Sequence, residues 1–278
     1  MNEYLKVSVI VSTYNNPEWL EKVLWGYLYQ DYKNFEIVVA DDGSSGATRD
    51  LIDGFSAKAD FSIKHVWHED DGFRKTEILN QATLETEGEY LIFTDGDCVP
   101  RADFVATHVK YADPSRFLSG GYCKMPMDIS KRITEEDVES HACFEVKWLK
   151  SHGFSNFSSF LKLGLNDRWS RFADRVTSTK PTWNGCNASA YKESILAVNG
   201  HDEAMKYGGE DREMGERLVN LGLEGLQIRH QAVLVHLDHA RGYVSEEHLE
   251  FNQKVRDETV ATGRTWTDRG IVKGGRHA

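Results

Sequence analysis

A chain of 278 residues, 40% hydrophobic and 28% charged, has the profile of an ordinary globular protein long enough to bury a core, as one large α/β domain or two small ones. Its formal net charge of −11 argues against a non-specific nucleic-acid binder, whose phosphate contacts need a basic surface. Cys98, Cys123, Cys143 and Cys186 are scattered and form no C-x-x-C pair, so neither a zinc site nor a disulfide framework is indicated and reduced thiols in a cytoplasmic setting are expected.

The first residues, from Met1 to Lys6, run straight into a strand-like segment and leave no room for a signal peptide. No later run is long and apolar enough to span a bilayer, so any membrane contact would be peripheral. Lys6 to Ser12 is a β-branched run of the kind buried on both faces of a parallel sheet. Asn16-Pro17-Glu18 opens a helix, with Asn16 as its cap and Trp19, Leu20, Val23, Leu24 and Tyr27 as its apolar stripe. Strands are expected over Phe35 to Ala40, Phe61 to Trp67 and Glu89 to Thr94, with a helix over Arg74 to Glu85. This rhythm means βαβ units on a mainly parallel sheet.

The later chain is less regular. Helices are expected over Thr134 to Leu149, Tyr191 to Val198, Asp211 to Leu221 and Ser245 to Ala261, and a strand over Ala232 to Leu237. Residues 151–180 show no clear period and read as a long loop, either an active-site lid or a disordered stretch. Gly263 to Ala278 reads as a loosely held tail.

Three polar clusters fall just after strands: Thr13-Tyr14-Asn15, Asp41-Asp42-Gly43 and Asp95-Gly96-Asp97. In a parallel sheet the carboxyl ends of strands face one ligand-binding edge, so the three converge on one crevice. Asp95 and Asp97 suit a hard divalent cation such as Mn2+ or Mg2+, with Gly96 letting the backbone turn tightly; the alternative is a solvated acidic turn. Gly208-Gly209-Glu210-Asp211 places carboxylates at a helix start, where either an ordinary cap or a reactive base is possible. Some of Glu210, Asp211, Glu213 and Glu216 are expected to be simple surface charges.

The ordered strings VSVIVSTYNNPEWL, IVVADDGSS, EDDGFRKTEILNQA and GEYLIFTDGDCVP resemble those of the family 2 nucleotide-sugar glycosyltransferases of GT-A fold. YGGEDREMGERL is similar to a segment of their galactosyltransferase-related and chondroitin-polymerase-like members. The resemblance implies a Rossmann-like, mainly parallel α/β sheet flanked by helices. It implies a nucleotide-binding half over residues 1–122 and a less regular acceptor half over 123–244, followed by a C-terminal helix and tail over 245–278. Thr13 and Tyr14 would lie beside the nucleotide, Asp42 would accept a hydrogen bond from base or ribose, and Asp41 could share that role. Asp71 and Arg74 would border the nucleotide, with Arg74 pairing base or phosphate oxygens. Asp95 and Asp97 match the D-x-D motif, with Gly96 between them beside the donor. Asp211 matches the general base, with Glu210 beside it and Gly209 near the sugar. His236, in an H-x-x-H run, would be the third metal ligand, with His239 in reserve; either could instead be structural.

Trp183-Asn184-Gly185-Cys186 resembles a Gly-Gly-Asn block in which Cys186 replaces the second glycine. Trp183 either stacks on a sugar or belongs to the core, and Asn184 would bond sugar hydroxyls. The implied reaction is inverting transfer of a hexose or N-acetylhexosamine from a UDP-sugar to a hydroxyl of a glycan or lipid-linked glycan. Competing classes are a non-catalytic nucleotide-sugar binding module and a nucleotidyltransferase; the latter normally shows a phosphate loop that Val11 to Asn15 does not offer. A C-terminal segment with Tyr243, Leu249, Phe251, Val255, Trp266, Lys254, Arg256 and Arg276 could touch a membrane, but its interspersed acidic residues favour a helix packed on the domain.

Overall fold

The structure, a computed structural model, describes residues 4–240 and 244–274. Tyr243 and Arg276 lie outside the described residues. Among the described residues, ten strands form two sheets: β1 (Val7–Thr13), β2 (Phe35–Asp41), β3 (Ile63–Trp67), β4 (Tyr90–Asp95), β5 (Cys98–Pro100), β6 (Arg116–Ser119), β7 (Gly121–Lys124), β8 (Asn187–Tyr191), β9 (Glu224–Gln227) and β10 (Val233–His236). The larger sheet has the order β3-β2-β1-β4-β8-β6-β9 and the smaller the order β5-β10-β7.

Alternation along β1 shows why the sheet is covered on both faces. Val7, Val9 and Val11 join one apolar cluster with Ile37, Val39 and Ile92. Ile10 joins the other with Val38, Ala40, Leu91 and Phe93. Each such buried side chain contributes about 1.5–3 kcal/mol, so the central strands are the rigid part of the molecule. Pairing of β1 with β2 and β4 is parallel and sets Thr13 opposite Asp41 and Ser12 opposite Asp95. The polar clusters therefore leave the sheet at one level.

Beyond β4 the sheet is mixed. β8 runs antiparallel to both β4 and β6, and β9 returns parallel to β6. Strands β8 and β9 come from the later half and flank β6, the end of the first, so both halves build one sheet. Asn16 does not cap its helix through its side chain; Pro17 opens the helix Pro17–Leu28.

Three expectations are corrected. The helix over Thr134 to Leu149 is three short pieces, Glu135–Glu139, Ala142–Phe144 and Val146–Ser151. Thr134 and Asp137 form a capping box, and His141, in the left-handed region at φ 62°, breaks the run. Residues 151–180 contain two helices, Phe157–Gly164 and Asp167–Val176, whose first turns are capped by Asn156 and Asn166. The tail is tied down through residue 274: buried Asn199 donates to the Thr267 and Val272 carbonyls and accepts from Val272 N. Thr267 and Arg269 both donate to buried Asp202.

Replacing Asn199 by alanine strands three tail groups and places a Cβ-only side chain at φ 67°. A loss of roughly 3 kcal/mol is expected from those groups and the strained backbone. Urea unfolding measures it; a change under roughly 0.5 kcal/mol would mean the tail is not held this way.

Candidate active site

A cleft of about 960 Å³ opens at the strand ends, and Ser12, Thr13, Tyr14, Asp42, Asp95, Gly96 and Asp97 line one wall. Asn184, Gly209, Glu210, Asp211, His236 and His239 line it from segments far along the chain.

The Asp95-Gly96-Asp97 turn lies tightly on β1. Gly96 N donates to the Ser12 carbonyl at 2.7 Å. A Cβ on Gly96 would come 3.0 Å from that oxygen and 3.1 Å from Thr13 Cβ. The glycine is thus needed for close approach to β1, since its φ lies outside the left-handed region. Asp95 Oδ1 accepts from Ser12 Oγ and from Lys75 Nζ, both at 2.6 Å. Burial alone would lower the Lys75 pKa, but the charges of Asp95, Glu210 and Asp211 outweigh it and hold the ammonium protonated. Burial likewise opposes ionisation of Asp95, and Lys75 and Ser12 reverse that, pulling its pKa below the usual carboxylate value.

Asp97 faces two histidines. His239 Nε2 lies 3.1 Å from Asp97 Oδ2, and His236 Nε2 lies 4.0 Å from Oδ1. Each histidine pairs its Nδ1 with a backbone carbonyl, His236 with Leu237 O at 2.9 Å and His239 with Ala240 O at 3.0 Å. A carbonyl only accepts, so Nδ1 carries the proton and Nε2 is left to face the carboxylate. A carboxylate oxygen and an imidazole lone pair at such range need a proton or a cation between them. Metal bonds of roughly 2.1 Å put neighbouring ligand atoms about 3 Å apart and opposite ones about 4 Å apart, so Asp97 with either histidine fits a divalent cation.

Asp211 is the second residue of the helix Glu210–Asn220. Its Oδ2 accepts from Gly185 N at 2.9 Å and its Oδ1 from Arg212 N at 2.7 Å, which fixes the carboxylate in the cleft wall. Glu210 is buried, and burial followed by the charge of Asp211 raises its pKa to about 7 against the opposing pull of Lys75. Gly208 and Gly209, at φ 112° and 94°, carry the chain into this helix.

The structure places several of the expected site residues apart from the cleft or engages them elsewhere. Asp41 is fully buried, accepting from Ser44 N at 2.8 Å and pairing with His65 Nε2 at 2.8 Å, and it does not line the cleft. Asp42 does, engaged by His68 Nε2 at 2.7 Å and Arg74 N at 3.0 Å, with burial raising its pKa. Asp71 and Arg74 line a separate shallow hollow with His68, Glu69 and Asp70. The Arg74 guanidinium is turned to the Glu69 carbonyl and to Glu77, whereas Gly72, Phe73 and Lys75 of the same block line the cleft. Trp183 is core, packed between Phe93 and Phe117, and leaves Asn184 at the cleft. Glu213, grouped among possible surface charges, is fully buried against Arg217 at 2.8 Å. Sequence reading also passed over Ser12 and Tyr122, which line the cleft; Ser12 sat in the last position of a recognised strand. All four cysteines are free and buried.

Residues 8–123 match the model for glycosyl transferase family 2, and residues 170–240 match that for the N-terminal domain of galactosyltransferase. Over residues 8–123 the chain is similar to glycosyl transferase family 2. The chain is 26% identical over 89% of its length to the uncharacterised glycosyltransferase YfnE of Bacillus subtilis, spanning 69% of that protein. It is 28% identical over 70% of its length to the GalNAc(5)-diNAcBac-PP-undecaprenol beta-1,3-glucosyltransferase of Campylobacter jejuni, spanning 62% of it. Among solved structures, the mannosyltransferase PcManGT of Pyrobaculum calidifontis, in complex with GDP-Man and Mn2+, superposes with a TM-score of 0.61 at 23% identity, covering 94% of this chain and 69% of that one. S. aureus TarS 1–349 in complex with UDP-GlcNAc gives a TM-score of 0.62 at 17% identity, covering 93% of this chain and 66% of that one. The fold is GT-A.

Glu210 gives the folded chain a pH signature. Its folded pKa of about 7 lies above the unfolded value near 4.5, so the folded state binds more protons between the two. Stability must therefore fall as pH rises through that window. Relative to wild type, Glu210→Gln should gain roughly 3 kcal/mol between pH 4.5 and 8, then level off. Urea midpoints across that range check it; a pH-independent difference would show that Glu210 ionises freely.

Proposed function

We propose that this chain is an inverting, metal-dependent glycosyltransferase acting at the cytoplasmic side of surface polysaccharide or lipopolysaccharide synthesis. The transferred group is a hexose or N-acetylhexosamine from a UDP-sugar, and the acceptor is a hydroxyl of a glycan, lipid-linked in the simplest case. The observation that carries this reading is the meeting in one cleft of Asp97, in reach of two Nε2 atoms, with the amide-held carboxylate of Asp211. UDP-GlcNAc in TarS and GDP-Man with Mn2+ in PcManGT support a nucleotide-sugar donor and a divalent cation. The undecaprenol diphosphate in the Campylobacter enzyme's name supports a lipid-linked acceptor.

The residues divide the work as follows. Thr13, Tyr14 and Asp42 border the nucleotide, and Asp95, anchored by Lys75 and Ser12, presents its free oxygen to the ribose and the cation. Asp97 with His236 or His239 would hold Mn2+ or Mg2+, which when bound neutralises charge on the diphosphate leaving oxygen. Lys75 reduces the negative charge that four carboxylates would otherwise set against an anionic donor. Asp211 takes the proton of the acceptor hydroxyl as that oxygen attacks the anomeric carbon, while Asn184 and Gly209 border the sugar. One base serves one displacement, which inverts the anomeric centre. Glu210, buried beside Asp211, holds its proton up to about pH 7.

Purified protein with Mn2+ should release UDP from a UDP-sugar in a panel of nucleotide sugars, and acceptor should speed it. Asp211→Asn should retain donor affinity while losing roughly 10²–10⁴-fold in transfer. Absence of donor-dependent nucleotide release across the panel would overturn the transfer reading, and normal turnover by Asp211→Asn would remove it as base.

The metal ligand is resolved by titrating Mn2+ into His236→Ala and His239→Ala with UDP present. Loss of the coordinating imidazole should weaken affinity at least roughly tenfold. A histidine whose removal leaves the titration unchanged does not belong to the coordination shell.

A further inference from the structure

In the hairpin of helices Phe157–Gly164 and Asp167–Val176 the first helix packs Phe160 and Leu163 on the core, whereas the second stands the wrong way round for a helix packed in water. Trp169, Phe172 and Val176, spaced at i, i+3 and i+7 on one face, are 57%, 55% and 62% exposed, and Phe157 on the preceding helix is 73% exposed. The Trp169 and Phe172 rings meet edge to face at 5.9 Å, so they form a joined patch. The inward face is the polar one. Ser170 and Asp174 are buried, and Asp174 accepts from His230 N at 3.0 Å and Gln231 Nε2 at 2.8 Å and pairs with His230 Nδ1 at 2.7 Å. Hydrogen bonds hold the helix down while its apolar side faces outward.

Charge identifies the occupant. Residues 156–180 contain five basic and two acidic side chains within a chain of net charge −11. Both acids are engaged inside the hairpin or the domain, Asp174 as above and Asp167 with Arg171 at 2.8 Å. Arg168 and Arg175 are exposed and, among the described residues, make no ion pair. An aromatic face rimmed by unpaired arginines complements a surface with an apolar interior and anionic head groups. A second copy docking face to face would set the same arginines against each other.

We infer that this hairpin is a docking surface for an anionic phospholipid bilayer. It also adjoins the cleft: Lys162 donates to the Tyr122 carbonyl at 2.9 Å and lies 5.7 Å over the Tyr122 ring, which lines the site. Docking there brings the Tyr122 side of the cleft toward the membrane plane. Lipid binding is read without donor or acceptor, so it stands or falls apart from the transfer reaction.

The test is cosedimentation of the whole chain with phosphatidylcholine vesicles, with and without phosphatidylglycerol. Wild type should pellet with the anionic vesicles, remain in solution with phosphatidylcholine alone, and be released by salt. Trp169→Ser/Phe172→Ser and, separately, Arg168→Ser/Arg175→Ser should each weaken binding roughly tenfold or more, with unchanged circular dichroism. The arginine pair is solvent-exposed, so that variant tests the idea even if the aromatic one misfolds. Wild type that ignores phosphatidylglycerol, or an arginine variant that pellets like wild type, overturns the proposal. So does a serine variant that converts a dimer to a monomer and leaves lipid binding intact, which would give the face to a second copy.

Discussion

The Asp97 corner of the cleft depends on one short ladder. β10 pairs antiparallel with β5 so that His236 stands opposite Cys98, the residue after Asp97. Leu237 N then donates to the Asp97 carbonyl at 2.8 Å, locking the register at the site itself. The same strand pairs parallel with β7, bringing Tyr122 to the cleft, and the His236 carbonyl accepts from Met125 N. Val99, Val233, Leu234 and Val235 are fully buried, so apolar packing rather than the acidic turn supplies the rigidity. A one-residue slip would send the His236 side chain to the opposite face of the small sheet.

That corner creates an electrostatic problem, and the other wall resolves much of it. Asp95, Asp97, Glu210 and Asp211 share one cleft. Two unit charges 4 Å apart near a protein surface interact by about 4 kcal/mol, enough to matter against a domain's net stability. Lys75 answers part of it by pairing with Asp95 at 2.6 Å. Glu210 answers another part by holding its proton up to about pH 7. What remains uncompensated is concentrated at Asp97 with its two Nε2 neighbours, where a cation fits.

The central strands and the convergence of the strand-end clusters were legible in the sequence because both follow from local patterns: β-branched runs and polar residues directly after them. Fine placement was not legible where neighbours in sequence point opposite ways. Asp41 is the last residue of β2 and turns to His65 of β3, whereas Asp42, one step on, faces the cleft. Arg74 precedes the helix Lys75–Glu85 and turns away, whereas Lys75 opens it and turns in. Composition could not separate these pairs, since each offers the same chemistry twice. Trp183 and Glu213 were undecidable for another reason: their burial depends on distant partners, Phe93 and Phe117 for one and Arg217, Thr259 and Arg264 for the other.

Glu213 also shows how the last stretch of chain takes part in the site. Its carboxylate accepts from Arg217 and from Thr259 Oγ1 at 2.8 Å, joining the helix that carries Asp211 to the helix Glu246–Thr262. Such a buried pair is costly to desolvate and holds only with its extra hydrogen bonds, so the two helices form one unit. The loop before Asp211 passes directly over that unit. A Cβ on Gly208 would meet Leu249 Cδ2 at 2.2 Å, and one on Gly209 would meet Arg256 Cδ at 3.1 Å, both at positive φ. The glycines are therefore required from two directions, by the left-handed turn and by the C-terminal helix beneath it. The proposed base is positioned by backbone amides above and by the C-terminal helix below, so that helix belongs to the construction of the site.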